Sequence, residues 1–475
     1  MPPLPGFVGP TYLSQSSMLA GERCINFFPE AIPVIAGKTR SALFPAPGVP
    51  TWASPNTGAG RGLFGERNRL FGVFGGVLHE FQADATVIAR GAVAYDGLPV
   101  QITSNGDGGN QLLIAAGNKG YVFNLTTHVL SNPVDDVRMV GQIDGFFLGL
   151  DTETSTLKIS DALAGLTWDA GQQTQRSAAS DPWRAMVVVN REIFLFGETT
   201  GEVWYNAGLA TFPFAYRAGS FFQTGIAAPW SASPFGDSLA WLGRSQAGSD
   251  QVFWMNGYTP NRISNHAVEW AISEYKRTRT ITDAVGWSYQ QAGHVFYVLE
   301  FPSLPATWVY DATTNQWHER ARWDTVTGTW EAYRPRFHTE FFGRNLVCDG
   351  QAGRIYTLST AEYADIDGGP LRRVRQAPHL SAENQWIIYD ALEVEAERGV
   401  GLVSGQGSDP LLMMRMSRDG GRTWSPERTA PLGKMGEYDA RTIWHQCGAG
   451  RDVVFEVSSS DPVPVRLGNA YLRVH

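Results

Sequence analysis

REIFLFGETTGEVWYN, running from Arg191 to Asn206, decides the fold class. Ile193, Phe194, Leu195 and Phe196 form an apolar run too short to hold a helix by itself. Gly197-Glu198-Thr199-Thr200-Gly201 is turn chemistry, small and polar with glycine at both ends. Glu202-Val203-Trp204-Tyr205 returns to β-branched and aromatic residues. Two such runs around a five-residue, glycine-bounded loop predict a β-hairpin.

The same phrase recurs with other letters. Leu113–Phe123 (LIAAGNKGYVF), Thr307–Trp317 (TWVYDATTNQW) and Leu346–Leu358 (LVCDGQAGRIYTL) each read as apolar strand, Gly/Asp/Asn turn, then a strand with Tyr or Trp. Further short runs lie at Leu70–Phe74, Val77–Phe81, Phe146–Asp151, Met186–Asn190, Ser238–Gly243, Gln251–Trp254 and His294–Leu299. Short strands at this cadence mean an all-β sandwich, barrel or propeller. The imperfect repeat favours a degenerate β-propeller body over residues 41–362, with the number of blades left open. Asn265–Tyr275 (NHAVEWAISEY) is the one good helix candidate.

Residues 1–40 read as an N-terminal arm that leans on something else, with one compact segment, Cys24–Glu30. Near Tyr363 the texture changes. Asp365, Asp367, Gly368, Gly369 and Pro370 form a breaker cluster, and longer strands follow at Trp386–Glu397, Leu411–Ser417, Arg451–Val457 and Pro464–Val474. Residues 363–475 are therefore expected to form a C-terminal, platform-like β-sandwich.

Composition narrows function. Charged residues are 18% of the 475, against a typical ~25%, while aromatics reach 12%. That pattern fits either subunits that hide surface against neighbours or simply a large β core. A net charge of −8 argues against a sequence-independent grip on nucleic acid, which needs Lys/Arg clusters to displace counterions. Cys24, Cys348 and Cys447 are far apart and odd in number, so neither a disulfide framework nor a zinc site is expected. No apolar run reaches the ~20 residues of a membrane span, and no secretory signal is expected.

Motif matches weaken on inspection. Gly60-Arg61-Gly62-Leu63-Phe64-Gly65 spells the dinucleotide fingerprint, but without a leading strand and following helix it reads as a blade turn. His79-Glu80 and His318-Glu319 lack metal-ligand spacing and read as solvated or hydrogen-bonded dipeptides. Arg372, Arg373 and Arg375 read as a solvated strand face or a subunit contact. The sharpest local match is Ser417-Arg418-Asp419-Gly420-Gly421-Arg422-Thr423-Trp424, which resembles the Asp-box of sialidase propellers. Ser417 and Asp419 would bond nearby amides, Gly421 would take a positive φ and Trp424 would anchor the hairpin in the core, Thr423 being the remaining motif position. This is a folding element rather than a catalytic one. A sialidase would carry several such boxes, and only one is present here.

Longer phrases, taken together and in order, point to a family. Cys24–Glu30, Leu43–Val49, Leu195–Gly208 with Phe212-Pro213-Phe214, Arg262–Glu269, Ala292–Tyr297, Trp308–Asp311 with Trp317-His318-Glu319, and the ending from Ser417 to Val457 carry the likeness. The chain resembles the packaged-DNA stabilisation proteins, or tail nozzle (tail-hub) proteins, of short-tailed bacteriophages. The resemblance implies a structural virion protein assembled in the host cytoplasm, not an enzyme, with no cofactor and no metal. It implies a homohexameric ring below the portal and adaptor, contacts with other tail proteins and with a plug or tail needle, and passage of double-stranded DNA without sequence-specific binding. A receptor- or glycan-binding tail component, or more remotely a sialidase-like hydrolase, is the alternative.

Overall fold

A computed structural model describes residues 1–32, 40–176, 179–245, 248–381 and 383–475. Residues 33–39, part of the N-terminal arm, lie outside the described residues. Strand makes up 52% and helix 5%, so the chain is all-β.

The opening hairpin is present. Glu192–Phe196 pairs antiparallel with Gly201–Asn206, Phe194 opposite Val203 and Phe196 opposite Gly201. Ala185–Val189 and Phe214–Tyr216 complete a four-stranded sheet on either side. Ile193, Phe194, Leu195 and Phe196 are all buried. Both faces of the sheet are covered by neighbouring sheets, and so the run is continuously apolar instead of alternating.

Among the described residues, seven blades form a propeller body: five are four-stranded sheets, the fifth blade is five-stranded, and the sixth is one end of a larger sheet. Their innermost strands are Gly60–Glu66, Gln101–Ser104, Met139–Ile143, Ala185–Val189, Ser233–Phe235, Val285–Gln291 and Pro335–Phe341. Each touches the next, and the last touches the first, so the circle closes. The seventh blade takes its outermost strand, Thr51–Ala53, from upstream of the first blade, with Ala53 opposite Ile355. The predicted helix runs from His266 to Thr278 after the fifth blade, and the Asn265 side chain caps it by accepting from Val268 N–H at 3.0 Å.

The sandwich packs two sheets around one core. One sheet contains Phe27–Ile32, Arg40–Pro45, Leu467–Val474, Ile387–Ala396 and Ile443–Gly450. The other runs through Gly21–Ile25, Arg373–Gln376, Asp452–Ser459, Leu411–Ser417 and Arg428–Pro431. Leu4, Phe7, Phe27, Leu43, Leu392, Leu412, Trp444 and Phe455 fill the space between them. The second sheet does not stop at the sandwich. Gly21–Ile25 also pairs in parallel with Gln316–Glu319, the outermost strand of the sixth blade, with Ile25 opposite Glu319. Propeller and sandwich thus share one eleven-stranded sheet.

Candidate functional site

The Asp-box-like residues do converge on one turn. Ser417 Oγ donates to Asp419 Oδ1 at 2.7 Å and accepts from Gly421 N–H at 2.8 Å. Asp419 Oδ1 accepts from the amides of Arg422 and Thr423 at 3.0 and 2.8 Å, and Oδ2 accepts from Thr423 Oγ1 at 2.6 Å. These bonds hold the Asp419 carboxyl far below its ordinary range, the Thr423 hydroxyl contributing most. Gly420 and Gly421 have φ of 69° and 84°, where a Cβ is strained. Trp424 is half-buried rather than in the core, with the Arg415 guanidinium 4.7 Å above its ring. The arrangement supplies hydrogen bonds to a turn and presents no reacting group.

The arginines at 372–375 overturn the reading of a solvated face or subunit contact. Arg373–Gln376 lies between Gly21–Ile25 and Asp452–Ser459 inside the shared sheet, with both edges paired and all four residues buried by the chain itself. Arg373 and Arg375 are fully buried. Arg375 donates to the carbonyls of Gly6, Phe7, Gly9 and Pro10 at 2.6–3.0 Å. Arg373 donates to the carbonyls of Tyr363 and Asp461 at 2.9 and 3.1 Å. Desolvation lowers the pKa of both, that of Arg373 to about 10. Arg372 bonds Glu427 at 2.5 Å and stacks on Trp323 at 4.6 Å. Dispersed charges in a sequence read as exposed; here the charge is spread over backbone carbonyls.

Asp181 carries no motif and is not among the residues expected to matter. Its carboxylate accepts from the amides of Glu198, Thr199 and Thr200 at 2.8–2.9 Å, gripping the loop of the opening hairpin from outside. The carboxyl lies below its ordinary value because these bonds outweigh its desolvation. A Cβ on Gly197 would strike the same carboxylate. An acid seventeen residues before the turn it serves has no local signature.

The propeller axis holds a cavity of about 540 Å³ lined by all seven blades, and His338 is the single ionisable side chain among its described lining residues. The Gly60–Gly65 phrase is an innermost strand rather than a turn. A Cβ at Gly62 would collide with the Val100 carbonyl, so the glycines serve close approach between blades. His79 and His318 are buried rather than solvated, and desolvation lowers both, His318 strongly. Glu80 bridges Arg69 and Arg90 at 2.6 Å each, which outweighs its burial and lowers its pKa. All three cysteines are free and buried. Among the described residues, no group of His, Cys, Asp and Glu is arranged to hold a metal, and no helix is long and apolar enough to cross a membrane.

A closed propeller and a sandwich joined by one sheet, bound by structural turns and buried arginines, define a modular β-scaffold protein. The chain belongs to the bacteriophage P22 Gp10 family, whose beta-propeller model matches residues 19–363 and whose beta-sandwich model matches residues 372–475. It is therefore a member of the tail-hub, or tail nozzle, family. It is similar to the tail hub protein gp10 of Salmonella phage P22, 23% identical over 300 residues. That match covers 62% of this chain and 59% of the relative, so it spans under two thirds of the relative's length. Among solved structures, streptogramin B lyase is similar at 9% identity and TM-score 0.41, over 70% of this chain and 97% of that one. The N-terminal domain of Nup159 is similar at 9% identity and TM-score 0.36, over 74% and 98%.

Proposed function

We propose that this chain is the repeating subunit of a homohexameric tail nozzle, set below the portal and adaptor, that retains packaged DNA and conducts it during ejection. Family membership across both modules is the observation that carries this reading. The axial cavity of the propeller has the volume of a small-molecule site, too little for a duplex, so the conduit runs between copies. Many arginines are already engaged within the chain, among them Arg61 with Asp96, Arg334 with Asp349 and Arg336 with Glu300. The net charge of −8 supports a lumen wall that is neutral or acidic and does not grip phosphates. DNA then slides without sticking, and retention comes from a constriction or from a plug or needle protein. The protein assembles in the host cytoplasm and resides in the virion, and its role requires no bond chemistry.

The test is assembly of particles without this protein. They should package DNA and then leak it, while the purified protein binds duplex weakly at physiological salt. Particles that keep their genome but fail to attach to cells would transfer the role to receptor binding. Tight, salt-sensitive duplex binding would refute the non-adhesive wall.

A further inference from the structure

A cleft of about 570 Å³ opens between the fourth and fifth blades. Two hydrogen bonds tie the blades together there. Asn190 Nδ2 donates to the Asp237 carbonyl and Tyr258 Oη donates to Glu192 Oε1, each at 2.7 Å. Glu192 also receives Arg217 Nε at 2.6 Å, which neutralises it. Loop geometry fixes the walls, with Asn190 and Arg191 at φ 52° and 62° and Gly257 at 58°.

Inside the cleft the chemistry is of one kind. Trp254 and Tyr258 present half-buried rings, Trp254 packed edge-on by Phe235 at 5.1 Å between centroids and Tyr258 with the Arg217 guanidinium 5.9 Å from its ring. Asn256 and Asn261 are exposed, and their side-chain amides have no hydrogen-bond partner among the described residues; nor does the carboxylate of Asp237. No Lys, Arg or His lines it. A phosphate, sulfate or carboxylate ligand would find no unpaired cation, since Arg217 beside the cleft is already held by Glu192, and would face Asp237. An apolar ligand would leave the two amides unpaired. Planar amides offer a coplanar donor and acceptor that match vicinal hydroxyls, and aromatic rings accept the C–H face of a sugar. The volume is in the range of small-ligand sites, roughly 300–1,000 Å³.

We propose that this inter-blade cleft binds a neutral saccharide, with Asn256, Asn261 and Asp237 reading its hydroxyls and Trp254 and Tyr258 holding its apolar face. The site is independent of the conduit: it lies between two blades of one chain and needs no ring.

The experiment is saturation-transfer-difference NMR of the intact protein with the methyl glycosides of glucose, galactose, mannose, rhamnose and N-acetylglucosamine. The methyl glycoside of sialic acid serves as an anionic comparison. At least one neutral glycoside should receive saturation, strongest at its ring C–H protons, and the sialoside should not. The Asn256→Ala/Asn261→Ala variant, altered only at exposed side chains, should keep its melting temperature and bind that glycoside about tenfold more weakly. Absence of transfer to every neutral glycoside overturns the proposal. So does binding unchanged in the double variant, which places the sugar elsewhere, and so does preference for the sialoside.

Discussion

Arg375 donates from Nε to the Phe7 carbonyl at 2.6 Å, joining the start of the chain to a strand buried in its last quarter. The flanking carbonyls of Gly6, Gly9 and Pro10 converge on the same guanidinium. On one side of this clasp, Leu4 N–H bonds the Ala470 carbonyl in the sandwich; on the other, Thr11 N–H bonds the Trp317 carbonyl in the sixth blade. The N-terminal segment is a strap across the two modules, and Arg375 is its buckle.

Arg375→Met should therefore cost about 3–5 kcal/mol, because it strands several buried carbonyls at once. Arg375→Lys should recover only part of the loss, since an ammonium has three donors and no planar fork. Urea unfolding gives the magnitude, and mass spectrometry after brief proteolysis shows whether residues 1–11 become cleavable. A variant as stable and as resistant as the parent would remove the strap's role.

Asp365 supplies a pH dependence of unusual sign. It is buried beside Arg322, with the Ile366 amide donating to it at 2.8 Å, and desolvation still pushes its carboxyl up to about 6 from 3.8. Between about pH 4 and 6 the folded chain holds more protons at this site than the unfolded chain. The contribution of Asp365 to stability therefore falls as pH rises through that window and is flat above it. Asp365→Asn should be more stable than the parent at pH 7 by on the order of 2 kcal/mol, with the difference vanishing near pH 4. Denaturant titrations of both proteins across this range measure it; a difference independent of pH would show that the site does not titrate there.

The Asp-box-like turn behaves as an exposed version of the same bookkeeping with the opposite sign. The Asp419 pKa is depressed, so its stabilisation is present above the unfolded pKa near 4 and is lost only as pH falls through the lower folded value. Asp419→Ala should lower the melting temperature at pH 7 and lose that effect in strong acid. Trp424→Ala should cost about 2 kcal/mol, less than a core tryptophan, because the ring is half-buried beneath Arg415. Melting temperatures unchanged in both variants would reduce the turn to a verbal likeness.

What was legible in the sequence follows a physical division. Local features were readable: the Phe194–Val203 hairpin, the helix beginning near Asn265 and the Ser417–Trp424 turn are each written within about fifteen residues. Seven blades were not countable, because the fifth has a shortened inner strand, Ser233–Phe235, and the seventh borrows Thr51–Ala53 from far upstream. The long-range polar bonds were equally silent. Nothing near Arg375 announces four carbonyls at the other end of the chain, and nothing near Asp181 announces three amides in a later loop. The residues assigned to the proposed saccharide cleft, Asp237, Trp254, Asn256, Tyr258 and Asn261, all belong to the fifth blade, but the wall that makes them a cleft comes from Asn190, Glu192 and Phe194 of the fourth, and no local pattern announces that neighbour.

Ring closure offers the last test, and it reaches the whole molecule. Trp52 sits on the borrowed strand and packs against Phe81 of the first blade and Phe341 of the seventh, with ring centroids 6.2 and 6.0 Å apart. It is half-buried, so Trp52→Ala should cost about 2 kcal/mol. The form of the loss matters more than its size. The sixth blade continues through Gly21–Ile25 into the sandwich, and the strap held by Arg375 crosses the same junction. Opening the seam between the first and seventh blades should therefore lower the stability of the sandwich as well, and calorimetry should show one transition moved to lower temperature. Trp444, buried in the sandwich core, and Trp241, buried in the propeller, contribute to separate fluorescence signals, which single-tryptophan replacements can distinguish. If Trp52→Ala moves the propeller signal and leaves the sandwich signal in place, the shared sheet does not couple the two modules. If both move together, the modules unfold as one unit, and a disturbance at a blade seam is transmitted to the far face of the sandwich.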